Sequence, residues 1–278
     1  MTLRGGCVSE RGTIAEAFSR TAEKYDRFAE DHPNQSRMRG KVYAHLARHV
    51  PRGARILELA AGTGTDAVRL AEMGYRVHAI DIAPGMLERL REKVLSRHLT
   101  DHITAQQCSF TELDRVEGAP YDAVFSDLGG LNCIADLTEV TRSLPRVLRP
   151  GGIVTWVLMP PICLWELALI ATGHVRLALR RLARGGTRAH LEGLYFTVHY
   201  FTPRQVVAAF GPEFRLLAIE GLSVITPTAE SKNLAKRHRT FYSALAWLDD
   251  RLAPRPPWWG WGDFFIISFR YEPAGPAR

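Results

Sequence analysis

Apolar residues recur at three- and four-residue steps over residues 12–31, where Ile14, Phe18, Ala22, Tyr25 and Phe28/Ala29 share one side. That spacing predicts an amphipathic helix, with Pro33 and Asn34 ending it. Met38, Val42, Tyr43, Leu46 and Val50 predict a second helix, stopped by Pro51-Arg52-Gly53. From residue 55 the pattern changes to short apolar runs with helical stretches between them. Runs at 55–59, 76–81, 103–108, 122–127 and 152–158 read as strands. A helix over 65–73, closed by Gly74, separates the first two, Pro84 opens the next helix, and "LRPGG" at 148–152 turns into the fifth strand. This alternation predicts a parallel, doubly wound sheet. Beyond Pro161, "ICLWELALIATGHVRLALRRLAR" reads as helical with an interruption at Gly173, and "LYFTVHYF" as a strand. "TPRQVVAAF" reads as a helix with Thr202 as cap and Pro203 in its first turn. "FRLLAIEGLSVIT" and "GDFFIISFRY" can return to the sheet as two final strands around a helix near 230–250. The expected organisation is lid helices over 1–50, a ligand-binding core over 51–158, a substrate-cap insertion over 159–200, and 201–278 completing the sheet.

At 278 residues and 46% hydrophobic, the chain can build one large α/β domain or two small ones. Residues 153–172 could mimic a membrane span because Glu166 is their single charge, but Pro160-Pro161 would break a continuous helix. No transmembrane segment is expected. The first residues lack the apolar run of a secretory signal, so a cytoplasmic location is expected. Cys7, Cys108, Cys133 and Cys163 show neither metal-ligand spacing nor the density of a disulfide framework, and no metal is expected. A net charge of +7 fits an anionic partner or simply a solvated basic surface. The expected state is a monomer or homodimer.

The candidate chemistry lies in "ILELAAGTGTDAVRLAEMGYRVHAID", residues 56–81. Its turn, Gly62-Thr63-Gly64-Thr65-Asp66-Ala67, fits a dinucleotide fingerprint once the final alanine is allowed. A strand, a glycine turn and a helix leave room and an electropositive helix start for a ligand, and Asp81 ends the second strand where it could bond a ribose diol. Those features suit NAD and S-adenosylmethionine alike. Glu58 separates them: a carboxylate at the mouth of the first strand repels a pyrophosphate but attracts an ammonium and a sulfonium. The chain also lacks a tyrosine-lysine or cysteine-histidine set for hydride transfer, which disfavours an NAD(P)-dependent oxidoreductase.

Taken together, "ILELAAGTGTD", "HAIDIAPGMLERLREK", "YDAVFSDLGGLNCIADL" and "LPRVLRPGGIV" resemble the class I S-adenosylmethionine-dependent methyltransferases, particularly the small-molecule branch. The resemblance runs from about Ala17 to Tyr271. It implies an α/β fold: a doubly wound, seven-stranded Rossmann-like sheet with N-terminal lid helices and a helical insertion after the fifth strand. It also implies that Glu58, Ala60, Gly62, Thr63 and Gly64 surround the methionyl part of S-adenosyl-L-methionine and that Asp81 takes the ribose hydroxyls. Ile82 and Met86 would flank the adenine. Ser109 and Phe110 match the adenine-edge position, where an aspartate is common. Asp127 and Leu128 match the contact with the methionyl end, and Tyr25 matches a lid tyrosine that closes over the cofactor.

Methyl transfer is an in-line displacement that needs alignment and a dry pocket, and a base only where a proton must leave. The fourth strand is followed by Ser126-Asp127-Leu128-Gly129 rather than the Asp/Asn-Pro-Pro-aromatic run of amino-methylating nucleic-acid enzymes. No cysteine follows a proline, so a nucleic-acid acceptor is disfavoured. Tyr25, Glu166, His199 and Tyr200 are the catalytic candidates; Asn132, Trp165, His174 and Arg176 are the substrate candidates. Arg176, Arg180, Arg181 and Arg184 form a basic stripe with three readings: a solvated face, a seat for an anionic acceptor, or an interfacial helix that meets lipid. The expected function is methylation of a small molecule in specialised, natural-product metabolism. The alternatives are C-methylation of an anionic isoprenoid such as a prenyl diphosphate, or a non-catalytic S-adenosylmethionine- or RNA-binding protein.

Overall fold

The computed structural model describes residues 9–29, 32–228 and 237–273. Five strands lie parallel: β1 (Arg55–Leu59), β2 (Arg76–Asp81), β3 (Ile103–Gln107), β4 (Tyr121–Ser126) and β5 (Leu148–Leu158). With β8 (Phe214–Leu222) and β9 (Phe264–Tyr271) they make a seven-stranded sheet in the order β3-β2-β1-β4-β5-β9-β8. β9 runs antiparallel between β5 and β8. Central strands such as β1, with Ile56, Leu57 and Leu59 all buried, read as unbroken apolar runs because helices cover both faces of the sheet. One face packs Ile56, Phe125 and Val157 against Met38, Leu46 and Leu70. The other packs Leu57, Val124 and Trp156 against Leu144, Val206 and Phe210.

Helix α1 (Glu10–Ala29) is followed by α2 (Pro33–Ala47), whose first turn holds Pro33. Pro33 thus opens the second helix rather than only closing the first, because a missing N–H costs nothing there. α3 (Thr65–Glu72) and α4 (Pro84–Ser96) follow β1 and β2, and short turns α5 (Thr138–Thr141) and α6 (Leu144–Val147) lead into β5. The capping box at Thr202 and Gln205 starts α9 (Pro203–Ala209). α10 (Arg239–Leu252) carries the later part of the helix expected near 230–250; residues 229–236 lie outside the described residues.

The insertion after β5 differs in detail from a continuous helix. It begins with α7 (Leu164–Leu167) and one 3-10 turn, breaks at Gly173, where φ is +82°, and resumes as α8 (Val175–Ala178) with another 3-10 turn. A hairpin then forms from β6 (Thr187–Leu191) and β7 (Leu194–Val198), separate from the main sheet. Its two-residue loop, Glu192-Gly193, has φ of +47° and +82°, the pair of left-handed residues that a tight hairpin turn requires. Among the described residues no helix is long and apolar enough to cross a membrane.

Candidate functional site

A cavity of about 250 Å³ opens at the C-terminal ends of β1, β2 and β4, where sheet order reverses direction from β1 to its two neighbours and open α/β sheets hold ligands. Ala60, Gly62 and Thr63 follow β1 onto its wall; Asp81 and Ile82 end β2; Ser109 and Phe110 follow β3; Asp127 and Leu128 follow β4. Met86 reaches in from α4. From above, α1 supplies Ile14, Phe18 and Tyr25, and β7 supplies Phe196 and Val198. Two non-glycine wall residues sit in the left-handed region, Ala60 at φ +53° and Leu128 at +43°. Such strain persists only where the surroundings enforce it, and here it turns both strand ends away to leave the opening.

Asp81 is the organising acid. Its Oδ2 accepts the Gly62 N–H at 2.8 Å and its Oδ1 accepts the Ala83 N–H at 2.8 Å. Burial pushes its carboxyl up from the ordinary aspartate range while these backbone bonds pull it back down. The Ile82 N–H adds to these bonds, and the carboxylate's remaining lone-pair capacity is open to a hydroxyl. The two loop glycines serve different ends. Gly62, at φ +55°, faces open space, so a side chain there would enter the cavity. Gly64, at φ +76°, is not on the wall, and a Cβ there would lie 2.5 Å from Leu90 Cγ. Its smallness lets α3 start against α4.

Beneath the methionyl end expected from the sequence lies a charge cluster. Glu58 is 2% exposed and stands behind the wall, and its Oε2 has no hydrogen-bond partner. Burial, then the Asp66 and Asp127 carboxylates, hold Glu58 well above the usual carboxylate range. Asp127 is likewise held well above it by burial and then by Asp66, with Arg39 opposing. Arg39 Nε lies 3.0 Å from Asp66 Oδ1 and 3.8 Å from Asp127 Oδ2. The Tyr43 hydroxyl donates to Asp66. On the rim, Thr63 Oγ1 donates to Asp26 at 2.6 Å and Lys93 Nζ reaches Asp26 at 2.7 Å, which ties α1 to the glycine loop and to α4.

Sequence reasoning did not single out Arg39, Tyr43 or Asp66 as site residues. A signal existed: Tyr43 belongs to the apolar stripe of α2, and Arg39, four residues before it, shares its face. Asp66 lay inside the quoted turn.

The acceptor-side candidates scatter. Tyr25 lines the cavity, 37% exposed. Asn132 is buried behind the wall: its Nδ2 donates to the carbonyls of Met159 (3.2 Å) and His199 (2.6 Å), and its Oδ1 accepts the Met159 N–H. It pins the loop after β4 to the end of β5 and positions the wall without touching the space. His199 borders a neighbouring, more open groove. Trp165 and Tyr200 are half-buried outside the cavity, and His174 and Arg176 are exposed on the insertion.

Glu166 is not on the wall either. It is buried and accepts from Arg180 at 2.8 Å and Arg181 at 2.6 Å, and Arg181 also reaches Asp263 at 2.6 Å. These guanidinium bonds overcome burial and bring the Glu166 carboxyl below its ordinary value. Cys163, Glu166 and Asp263 offer ligand atoms within 4.8 Å of one another, but Arg180 and Arg181 already neutralise the two carboxylates. Arg181 is thus a structural bolt, and the arginine stripe is not one face of one helix because α8 ends at Ala178 and a 3-10 turn over Arg180–Leu182 changes its register. Glu166→Gln should therefore lower stability by about 1.5–3 kcal/mol, the range of hydrogen bonds to charged groups, with cofactor affinity unchanged. Thermal melting and calorimetry on the same sample would check it, and a stable variant with weakened ligand binding would return Glu166 to the site. Burial pushes the Cys133 thiol, which does line the cavity, up to about 12; it is a wall residue rather than a nucleophile.

Residues 56–152 match a family model described as "Methyltransferase domain". Over 215 residues the chain is 29% identical to a malonyl-[acyl-carrier protein] O-methyltransferase of Halorhodospira halophila, covering 71% of this chain and 69% of that protein. Over 110 residues it is 27% identical to a tRNA 5-carboxymethoxyuridine methyltransferase of Escherichia coli, covering 40% of this chain and 42% of the relative. Its fold matches the CcbJ methyltransferase from Streptomyces caelestis with a TM-score of 0.58 at 18% identity, covering 91% of this chain and 96% of that one.

Proposed function

The chain belongs to the class I S-adenosylmethionine-dependent methyltransferases, and from that premise we propose that it methylates a small, largely apolar acceptor held between α1 and the β6–β7 hairpin. The observation that carries this reading is the mixed lining of one cavity, with acidic residues at the strand ends and apolar residues from α1, the hairpin and the loops. The acidic residues are Asp66, Asp81 and Asp127; the apolar ones include Ile14, Phe18, Ile134, Met159, Phe196 and Val198.

The residues present fit the cofactor. Glu58 Oε2 is a buried oxygen with no partner, and the Glu58, Asp66 and Asp127 carboxyls share one guanidinium, Arg39, with Asp81 acting on Glu58 from the same side of the cavity. A cationic ligand carrying an ammonium and a sulfonium would favour ionisation of these carboxyls, whereas a pyrophosphate would oppose it. Asp81 would hold the ribose diol, Ile82, Met86 and Phe110 the adenine, and Ser109 its edge. Bound there, the cofactor would supply an electrophilic methyl group. The chain's own residues exclude water and align the acceptor, the two contributions an in-line displacement most needs.

No carboxylate or imidazole lies among the apolar lining residues to act as general base. The Cys133 thiol packs among these residues but is pushed up by burial, and Tyr25 lines the same cavity. This favours an acceptor atom that is nucleophilic without deprotonation by the protein: a carboxylate, an amine, a sulfide or an electron-rich carbon. A biosynthetic small-molecule role is supported by the malonyl-carrier relative. A diphosphate acceptor is less well served. Arg11 at the rim is paired with Glu139 at 2.6 Å, and Arg39 is engaged by Asp66.

The test is calorimetric. S-adenosylhomocysteine and S-adenosylmethionine should bind, and NAD should not. Because Glu58 and Asp127 are held above their ordinary values, part of the cluster keeps protons in the free protein. A cationic ligand favours the charged carboxylates and expels those protons, so affinity should rise with pH. Titration in two buffers of different ionisation enthalpy reads the proton release directly; proton uptake, or none, would remove the cluster as the cation seat.

A further inference from the structure

Residues 168–191 carry five arginines (Arg176, Arg180, Arg181, Arg184 and Arg188), two histidines and no acidic residue. Arg180 and Arg181 turn inward to Glu166, and Leu164 N–H donates to the Trp261 carbonyl, so the root of the insertion is fastened to the body. Much of the rest stays exposed. Ile170, Val175, Leu177, Leu179 and Leu182 are each between 40 and 51% exposed. Arg176 is exposed among them, and Arg184 and Arg188 are exposed just after them. Arg176 and Arg184 enter no ion pair among the described residues.

Single exposed aliphatic residues are ordinary, but five within 13 residues, with the exposed Arg176 among them, Arg184 and Arg188 just beyond and no carboxylate in the stretch, mark an interaction surface. The charge calls for an anionic partner. The aliphatics call for one that admits alkyl side chains without a pre-cut pocket for each. A lipid headgroup layer meets both demands, since interfacial segments bury aliphatics at the headgroup–acyl boundary while basic residues meet anionic headgroups.

We propose that residues 170–188 dock this protein on an anionic lipid surface, with the five aliphatics inserted and Arg176, Arg184 and Arg188 against the headgroups. The same insertion continues into β7, whose Phe196 and Val198 line the cavity. Docking therefore brings that wall beside the phase in which an apolar molecule concentrates. The docking itself does not depend on the reading of the cavity.

The experiment is flotation of the full chain with vesicles of phosphatidylcholine alone and of phosphatidylcholine mixed with phosphatidylserine. The parent should float with the mixed vesicles and not with the neutral ones. Arg176→Gln with Arg184→Gln should weaken binding to the mixed vesicles by roughly 25-fold, fivefold per arginine, from ~1 kcal/mol per basic residue. Leu179→Ser with Leu182→Ser should remove the part of the binding that survives high salt. All variants should keep the parent's thermal shift with S-adenosylhomocysteine, which shows that they fold and separates this test from that of the cavity. A parent that ignores phosphatidylserine vesicles overturns the proposal. So does a leucine pair that floats like the parent while polyglutamate displaces both, which would assign the stretch to an acidic protein.

Discussion

Asp81→Ala should weaken S-adenosylhomocysteine binding about a hundredfold or more while the sheet stays folded. The proposed contacts to the ribose are charge-assisted hydrogen bonds, worth about 1.5–3 kcal/mol each, and two of them amount to at least ~3 kcal/mol, or about two factors of ten. A second loss adds to the first. The carboxylate also accepts the Gly62 and Ala83 N–H groups at 2.8 Å each, so the glycine loop loses its tether and must be ordered by the ligand. Folding is spared because removal of Asp81 also removes a buried carboxylate whose desolvation opposed its charge. Asp81→Asn should fare little better: an amide has one acceptor oxygen, and its NH₂ would face one of the backbone donors. Calorimetry for affinity and thermal melting for the fold separate the effects. Unchanged affinity in the alanine variant would remove Asp81 from the ribose site.

Much of this architecture was legible because apolar runs and glycine turns act locally. The five parallel strands fall within a few residues of the runs that predicted them, and the turn after β1 sits where the sequence put it. The hairpin β6–β7 was harder. Its first strand, "TRAHL", alternates weakly and belongs to a small two-stranded sheet, so no buried face imposes a clean period. Its signal was the Glu192-Gly193 turn. For the site, residues fixed by backbone position, such as Asp81, Ile82 and Leu128, were readable from spacing. Residues whose role depends on which elements meet were not. Glu166 reads as a lone charge in an apolar stretch and is in fact bonded to Arg180 and Arg181, 14 and 15 residues later. Arg39 reads as one more surface charge on an amphipathic helix, and only the packing of α2 over the glycine loop brings it to Asp66.

Arg39→Leu should be the most destabilising single change at this site. The guanidinium side chain is 13% exposed and stands between Asp66 at 3.0 Å and Asp127 at 3.8 Å, with Glu58 buried close by. Leucine fills part of the space but leaves the carboxyl cluster without its cation. Breaking a buried ion pair by removing one partner costs about 3–5 kcal/mol, a large share of the ~5–15 kcal/mol that holds a typical domain together. The melting temperature should fall by about 10 °C, at ~2–4 °C per kcal/mol for a chain of this size. The loss should depend on pH. In the parent, Glu58 and Asp127 are already held above their unfolded values, so their neutral forms favour the fold. Stability conferred by such groups is present below the unfolded value and is lost as pH rises towards the raised folded one. Without Arg39 the folded values rise further, which widens that window and steepens the loss. Mild acid should therefore restore part of the variant's stability, and Arg39→Lys, which keeps a charge, should recover much of it at neutral pH. Melting curves for the three proteins across that range would decide the matter. If Arg39→Leu melts like the parent with the same dependence on pH, Arg39 is not the counter-charge of this cluster.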